Sequence, residues 1–228
     1  MPLLTFSFLA LGQDSVHARK FLYYPHSSPR KWNTSVGITG TTMPYEITEE
    51  IHYRIPAADL HVQHSVSKNF KIDGRLIIQA VQNLVTIGPR LGYDGRKKFC
   101  FNVGDDVGYW FGFLNIEGFK TKGHGWQNSP NASVGYVLKK NVLLTLKAEA
   151  IMVLDIKTYA GEIPVTTHYN LFSGSAYTFT VEQPFFGNKS LVLGFRALYT
   201  SFFWQTWVSF TSFDRNLFYP QLIVGVIL

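Results

Sequence analysis

Alternating hydrophobicity with almost no helical periodicity predicts an all-β fold, an antiparallel up-and-down barrel of about ten strands. Three observations carry that expectation. Apolar residues recur at every second position in segment after segment. The connections alternate between short Asn/Gly turns and longer loops. One strand is unusually long and two-faced: Leu144, Leu146, Ala148, Ala150, Met152, Leu154 and Ile156 alternate with residues that include Lys147, Glu149, Asp155 and Lys157.

The bulk numbers bound the class. A length of 228 residues fits a single all-β domain. Charged residues make up 16%, below the quarter or so usual in soluble domains, which excludes a highly charged or disordered chain. A net charge of +6 points to anionic surfaces. No Lys/Arg cluster with interleaved aromatics accompanies it, so nucleic acid is not an expected partner. Cys100 is the single cysteine, which rules out an intrachain disulfide.

The apolar run Leu3–Leu11 precedes Val16-His17-Ala18, whose small residues match a secretory cleavage pattern. Residues 1–18 are therefore read as a signal peptide, 19–31 as an N-terminal periplasmic segment and 32–228 as the barrel. No later run approaches the ~18 uninterrupted apolar residues of a membrane helix.

The strands follow in order. Val36 and Ile38 oppose Ser35, Gly37 and Thr39 in the first, 32–40. Leu60, Val62 and Val66 oppose His61, Gln63 and Ser65 in the second, 58–67; the alternating segment 45–55 is expected to extend it, with a bulge near Pro56. Phe70, Ile72, Leu76 and Ile78 define 70–80, and Val85, Ile87, Leu91 and Tyr93 define 84–94. The fifth, 98–113, sets Phe99, Phe101, Val103, Val107, Tyr109, Phe111 and Phe113 in one phase that Asp105 interrupts, which suggests a β-bulge. The rest are 131–139, 142–157, 175–184, 190–202 and 217–228. Turn residues lie at 67–70, 94–98, 139–142 and 186–190, and longer connections at about 41–57, 114–130, 158–174 and 203–216. A twelve-strand count that makes 45–55 and 205–213 separate strands misplaces the short turns or the termini.

Composition decides which way the greasy face points. That face is large and aromatic, with Tyr and Trp near strand ends, whereas the opposite face is rich in Gly, Ser and Thr with isolated charges. This is the expected pattern of a lipid-facing band about 25 Å tall around a crowded polar lumen. A mid-plane Lys on the lipid side costs about 2–4 kcal/mol. Turned inward, Lys71, Asp73, Arg75, Arg90, Lys147, Glu149, Glu182 and Arg196 can pair with one another. The fold class is therefore a transmembrane β-barrel.

With its leader, its strand–Lys-Asn–strand turns and a last strand that ends on the final residue (LIVGVIL), the chain resembles small bacterial outer-membrane β-barrel proteins of the Bacteroidota type. The resemblance covers about residues 30–228. It implies an integral outer-membrane location in a Gram-negative cell and a porin-like fold; the outward greasy face makes outer-membrane lipid an expected partner, and the aromatic run 202–210 suggests contact with lipopolysaccharide or another envelope protein. It also leads one to expect an aromatic last residue, where this chain has Leu228.

The eight lumen charges are the leading candidate site, either a structural salt-bridge network or the lining of a narrow channel. Ten strands stand near the side-chain-filled end of the barrel series, so little steady conductance is expected. Phe202, Phe203, Trp204, Trp207 and Phe210 are read as an aromatic girdle or a partner-binding surface. His61 and His64 lie on opposite strand faces, a poor arrangement for a shared metal, and no metal or other cofactor is predicted. Cys100 has no visible His/Asn partner for nucleophilic work. The competing functional reading is a lipid-modifying hydrolase with rim residues His168 or His124 and Ser173 or Ser175. The favoured one is a non-catalytic structural or interaction component of the envelope, or a narrow channel.

Overall fold

The computed structural model describes residues 21–25, 30–48, 54–94, 99–139, 142–209 and 213–228. The signal-peptide assignment and Phe210 lie outside them. The strands are β1 (Trp32–Thr42), β2 (Arg54–Ser65), β3 (Phe70–Ile78), β4 (Gln82–Asp94), β5 (Phe99–Ile116), β6 (Phe119–Lys139), β7 (Val142–Ala160), β8 (Ile163–Val165), β9 (Phe172–Pro184), β10 (Ser190–Thr200) and β11 (Leu217–Ile227). Each pairs antiparallel with its neighbours, β1 pairs with β11, and the β6–β7 ladder joins the two ends of the sheet order. The result is a closed antiparallel barrel of ten strands. Strand β8 is an extra short strand that pairs with β7 above the barrel.

The outer wall carries the large side chains. Val36, Ile38, Ile72, Val85, Ile87, Leu91, Leu146, Leu193, Leu222 and Val224 are all exposed on it. Aromatic residues gather toward the two ends. Phe99 and Tyr136, with ring centroids 4.8 Å apart, lie at the mouth that also carries the chain termini, and Tyr109 and Trp126 pair at the same distance toward the far mouth. The inner positions are Ser, Thr, Asn, Gln, Gly and ionised residues in the middle of the barrel, with buried apolar residues such as Leu143, Val192 and Ile227 at the terminal mouth and Leu84, Trp110, Ile151 and Leu198 at the far one.

Strand lengths are uneven. β5, β6 and β7 run to 18, 21 and 19 residues, whereas β1, β10 and β11 have 11 each. About 9–11 tilted residues cross the hydrocarbon, so these three continue past the far mouth as a flange. The long connection expected at 114–130 is mostly the upper half of β6, reached by a tight turn at Glu117 and Gly118, whose φ of 78° favours glycine. Hydrophobic alternation fails there for a physical reason. Above the lipid the outward residues are Lys120, Lys122 and His124 and the inward ones Thr121, Gly123 and Gly125, so neither face is consistently apolar.

Three other expectations are corrected. Tyr45–Thr48 form one helical turn, and β2 begins at Arg54 and pairs without a break from Thr42↔Arg54 to Trp32↔His64, so there is no bulge at Pro56. Pro56 fits because its backbone polar groups face the β3 side beyond the end of that ladder, which begins at Ala58↔Ile78, where its carbonyl accepts from Gln79 and no ladder donor is lost. Asp105 causes no bulge either: the β5–β6 register is continuous from Phe99↔Tyr136 to Ile116↔Phe119. Asp105 simply sits on the outer face, where Asn128 Nδ2 donates to its Oδ1 at 2.8 Å. A bulge does lie in β7, where Gln127 pairs with Val153 but Trp126 with Asp155, leaving Leu154 as the extra residue; the ladders of this strand also shift register between Val137 and Lys139 of β6 and between Ile151 and Met152. The slip at Leu154 flips the phase, so Ile156 turns inward and is buried while Asp155 and Lys157 face out.

Candidate functional site: the lumen

Three layers fill the barrel, and each follows from residues that alternation points inward. At the terminal mouth the described N-terminal residues Phe21–Pro25 lie inside the wall. The backbone N–H groups of Leu22, Tyr23 and Tyr24 donate to the two oxygens of Glu182 at 2.7, 3.1 and 2.9 Å. Gln63 Nε2 donates to Leu22 O at 3.1 Å. Leu22 packs with Val192 and Ile227, and Phe21 and Tyr24 with Cys100 and Leu143. Gly135 is what admits them: a Cβ there would lie 2.5 Å from both Pro25 and Tyr24. Enclosure pushes the Tyr23 phenol well above its ordinary range, so it stays neutral. Residues 21–25 thus form a floor within the barrel at its terminal mouth.

Above the floor lies a belt of ions. Arg75 forks onto Asp59 with contacts of 2.9 and 2.6 Å. Arg90 reaches Asp73 at 3.1 Å and Asp106 at 2.6 Å. Lys147 lies 3.5 Å from Asp106 and 3.0 Å from Glu149, and Arg196 Nε donates to Glu149 at 3.1 Å. Arg196 Nη1 donates to Gln221 Oε1 at 3.2 Å, and Gln221 Nε2 to Thr41 Oγ1 at 2.8 Å. The chain of contacts therefore runs around the wall from β3 through β4, β5, β7, β10 and β11 to β1. Of the charges singled out from sequence, Asp73, Arg90, Lys147, Glu149 and Arg196 share this chain of contacts, Arg75 pairs beside it with Asp59, Lys71 is buried beside the Phe21 ring and Glu182 holds the floor. Sequence reading missed Asp59 and Asp106. Both have inward parity: Asp59 alternates with His61 and Gln63, and Asp106 was hidden by the bulge assigned to Asp105.

The far mouth is capped. After β10 the chain turns inward, and Phe202, Phe203, Trp204 and Trp207 are all buried inside the barrel. They are neither an outer girdle nor a partner surface, because the loop folds back over the apolar top of the lumen instead of rising into solvent. Ser173 Oγ accepts from Phe202 N at 3.1 Å, Thr200 Oγ1 donates to Phe202 O at 2.8 Å, and Gln82 Nε2 donates to Gln205 O at 3.1 Å. Trp207 rests on glycines: a Cβ at Gly112 or Gly123 would fall 2.5 or 2.6 Å from the indole. Ile151, Val153, Leu198 and Trp110 complete this apolar cluster. Between the cap and the floor, at the level of the ionic belt, remains a chamber of about 100 Å³, lined by apolar residues toward the cap and by ionised ones in its middle.

The other residues raised from sequence are dispersed. His61 Nε2 is 3.8 Å from Asp73, whereas the His64 ring lies against Trp32 outside, with centroids 4.2 Å apart. His124 is on the outer face of the flange near Tyr159. The Ser173 hydroxyl is committed to Thr200, Ser201 and the cap. Cys100 is buried.

Among solved structures the fold is similar to the NanC porin (8% identity, TM-score 0.41, covering 86% of this chain and 98% of that one). It is similar also to the KdgM porin in complex with disordered oligogalacturonate (10%, 0.40, 84% and 97%). A third is the translocator domain of autotransporter NalP from Neisseria meningitidis (8%, 0.46, 86% and 86%). At such identities and scores the likeness is one of barrel to barrel and assigns no ligand. No protein-family model matches the chain. No curated protein matches it.

Proposed function

We propose that the chain is an integral outer-membrane β-barrel without catalytic function that is closed at rest, a structural or interaction component of the envelope and not an open pore. The observation that carries this reading is the filling of the lumen by the chain itself: among the described residues, the Glu182-held floor, the ionic belt and the aromatic cap lie in series along the barrel. The membrane location rests on the wall. A closed sheet leaves no unpaired backbone edge in hydrocarbon, and the large exposed apolar side chains are stable only against acyl chains. Outer-membrane lipid and lipopolysaccharide are then the partners of the outer face.

Reconstituted in planar bilayers, the full-length mature chain is expected to show no steady conductance. Large, stable, ion-selective openings would sink the reading. The hydrolase alternative gains no support from geometry: the Ser173 hydroxyl anchors the cap, and Ser175 lies across from Ala150 and Tyr199 on the outward face of the wall. Replacing His124 and His168 is expected to leave the lipid composition of the membrane unchanged.

A further inference from the structure

We propose that the rim of the terminal mouth is a docking surface for the headgroups of anionic phospholipid, built from Lys31, Lys68 and Lys189 beside outward-facing aromatic side chains. The inference rests on the membrane-barrel reading and adds to it a lipid class and the leaflet that supplies it.

Charge is divided between the two ends of the molecule. The connections 66–69, 95–98, 140–141 and 185–189 join strands at the terminal mouth; each contains Lys or Arg and none contains Asp or Glu. Arg30 and Lys31 lead into β1 at the same end. The bias is reversed at the far mouth, where 43–53, 117–118 and 161–162 hold Glu46, Glu49, Glu50, Glu117 and Glu162 and no Lys or Arg. Pairing follows the same division. Exposed cations of the far half have carboxylates beside them: Arg215 lies 3.0 Å from Glu46, Lys157 3.5 Å from Asp155 and Lys122 4.0 Å from Glu162. Lys31, Lys68 and Lys189 are exposed, and among the described residues no carboxylate stands within ion-pair distance of them. A ring of one sign raises the local potential and gathers its counter-charge from outside the chain.

The aromatic neighbours say what carries that counter-charge. Trp32 follows Lys31 and is 61% exposed, and Phe186, three residues before Lys189 in the same turn, is 84% exposed next to an exposed Phe185. Rings presented outward in this way suit the boundary between acyl chains and headgroups, where aromatic belts gather. The lysines beside them therefore stand at the depth of lipid phosphates, and basic side chains at that depth are drawn to anionic lipid. The surface is an outer rim and not an entrance, because Glu182 holds residues 22–24 across the lumen at this end. Short turns face the periplasm in outer-membrane barrels. The leaflet in question is then the phospholipid one, with phosphatidylglycerol as the representative headgroup, and not the lipopolysaccharide one.

Tryptophan quenching tests this in the full-length mature chain, because Trp32 at the terminal mouth and Trp126 toward the far one are exposed on the wall while Trp110, Trp204 and Trp207 are buried. The chain is folded into phosphatidylcholine vesicles in which a fixed share of the lipid is dibrominated phosphatidylglycerol or, in parallel, dibrominated phosphatidylcholine. In Trp126→Phe, where Trp32 reports, brominated phosphatidylglycerol should quench about twofold more strongly than brominated phosphatidylcholine. Added salt should erode that excess. In Trp32→Phe, where Trp126 reports, the two lipids should quench alike. Adding Lys31→Gln, Lys68→Gln and Lys189→Gln to Trp126→Phe should remove most of the excess, whereas Lys122→Gln with Lys157→Gln should leave it in place. Equal quenching of Trp32 by the two lipids assigns the ring to anions dissolved in water and overturns the docking surface. An equal excess at Trp126, or an excess that survives the three lysine replacements, overturns it as well, and each of these outcomes leaves the barrel reading standing. If brominated phosphatidylcholine quenches neither tryptophan, the wall does not face lipid and the membrane reading itself fails.

Discussion

Asp106 accepts from Arg90 Nη2 at 2.6 Å and from Asn131 Nδ2 at 3.2 Å, and lies 3.5 Å from Lys147, so three side chains on three strands converge on one carboxylate. Asp106→Asn leaves two buried cations sharing fewer anions, and removing one partner of a buried pair costs about 3–5 kcal/mol. The expected outcome is a lower urea midpoint for the variant folded in lipid vesicles, measured by tryptophan fluorescence. Gly123→Ala acts at the same scale through volume. Its methyl would press into Trp207, and overpacking of this kind costs about 1–3 kcal/mol. A changed emission from the buried tryptophans should accompany that loss. An unchanged spectrum and midpoint would mean that Trp207 does not rest on this glycine.

The strands show where alternation informs and where it misleads. In β5 the unbroken register puts Asp105 among Val103, Val107 and Tyr109 on the lipid side, opposite Pro130. A carboxylate there is disfavoured, and one hydrogen bond from Asn128 offsets only part of the cost. Asp105→Leu is expected to stabilise the barrel by about 1 kcal/mol or more, since acidic groups cost less on the lipid face than the 2–4 kcal/mol of a mid-plane Lys. A destabilised variant in the same refolding assay would show that Asp105 has an undetected partner. A carboxylate inside an apolar run looks like a phase break, and this resemblance is why the sequence suggested a bulge. In β7 the bulge at Leu154 falls between residues of mixed character, so no break in the pattern announces it.

The whole molecule is a tube plugged by its own chain. Replacing Phe202–Trp207 with a Gly/Ser segment of equal length should expose Trp110, now fully buried, to an aqueous quencher such as acrylamide. The barrel should survive, because its ladder closes without the cap. Conductance should stay low while the floor remains, and combining the cap replacement with Glu182→Ala should raise it. A cap-replaced variant that conducts as freely as the double variant would show that residues 21–25 do not close the terminal mouth.

Period-two alternation determined the class by itself, and the placement of the short turns and termini chose ten strands over twelve. Wherever one face meets lipid and the other a polar lumen, the two-residue repeat is enforced by transfer energy at every position, and it can be read from Leu146, Ala148 and Leu154 without coordinates. The inward charges were legible for the same reason, as residues such as Lys147 and Arg90 have only one affordable side. Tertiary structure alone decided what the interior does. Alternation says nothing about a segment that makes no strand, so the aromatic run from Phe202 looked like a surface feature and the packing of Phe21–Pro25 was not legible at all. Their places depend on contacts distant in sequence, such as Trp207 over Gly112 and Gly123 and Tyr24 against Gly135, and on Glu182 gathering three amides from the far end of the chain.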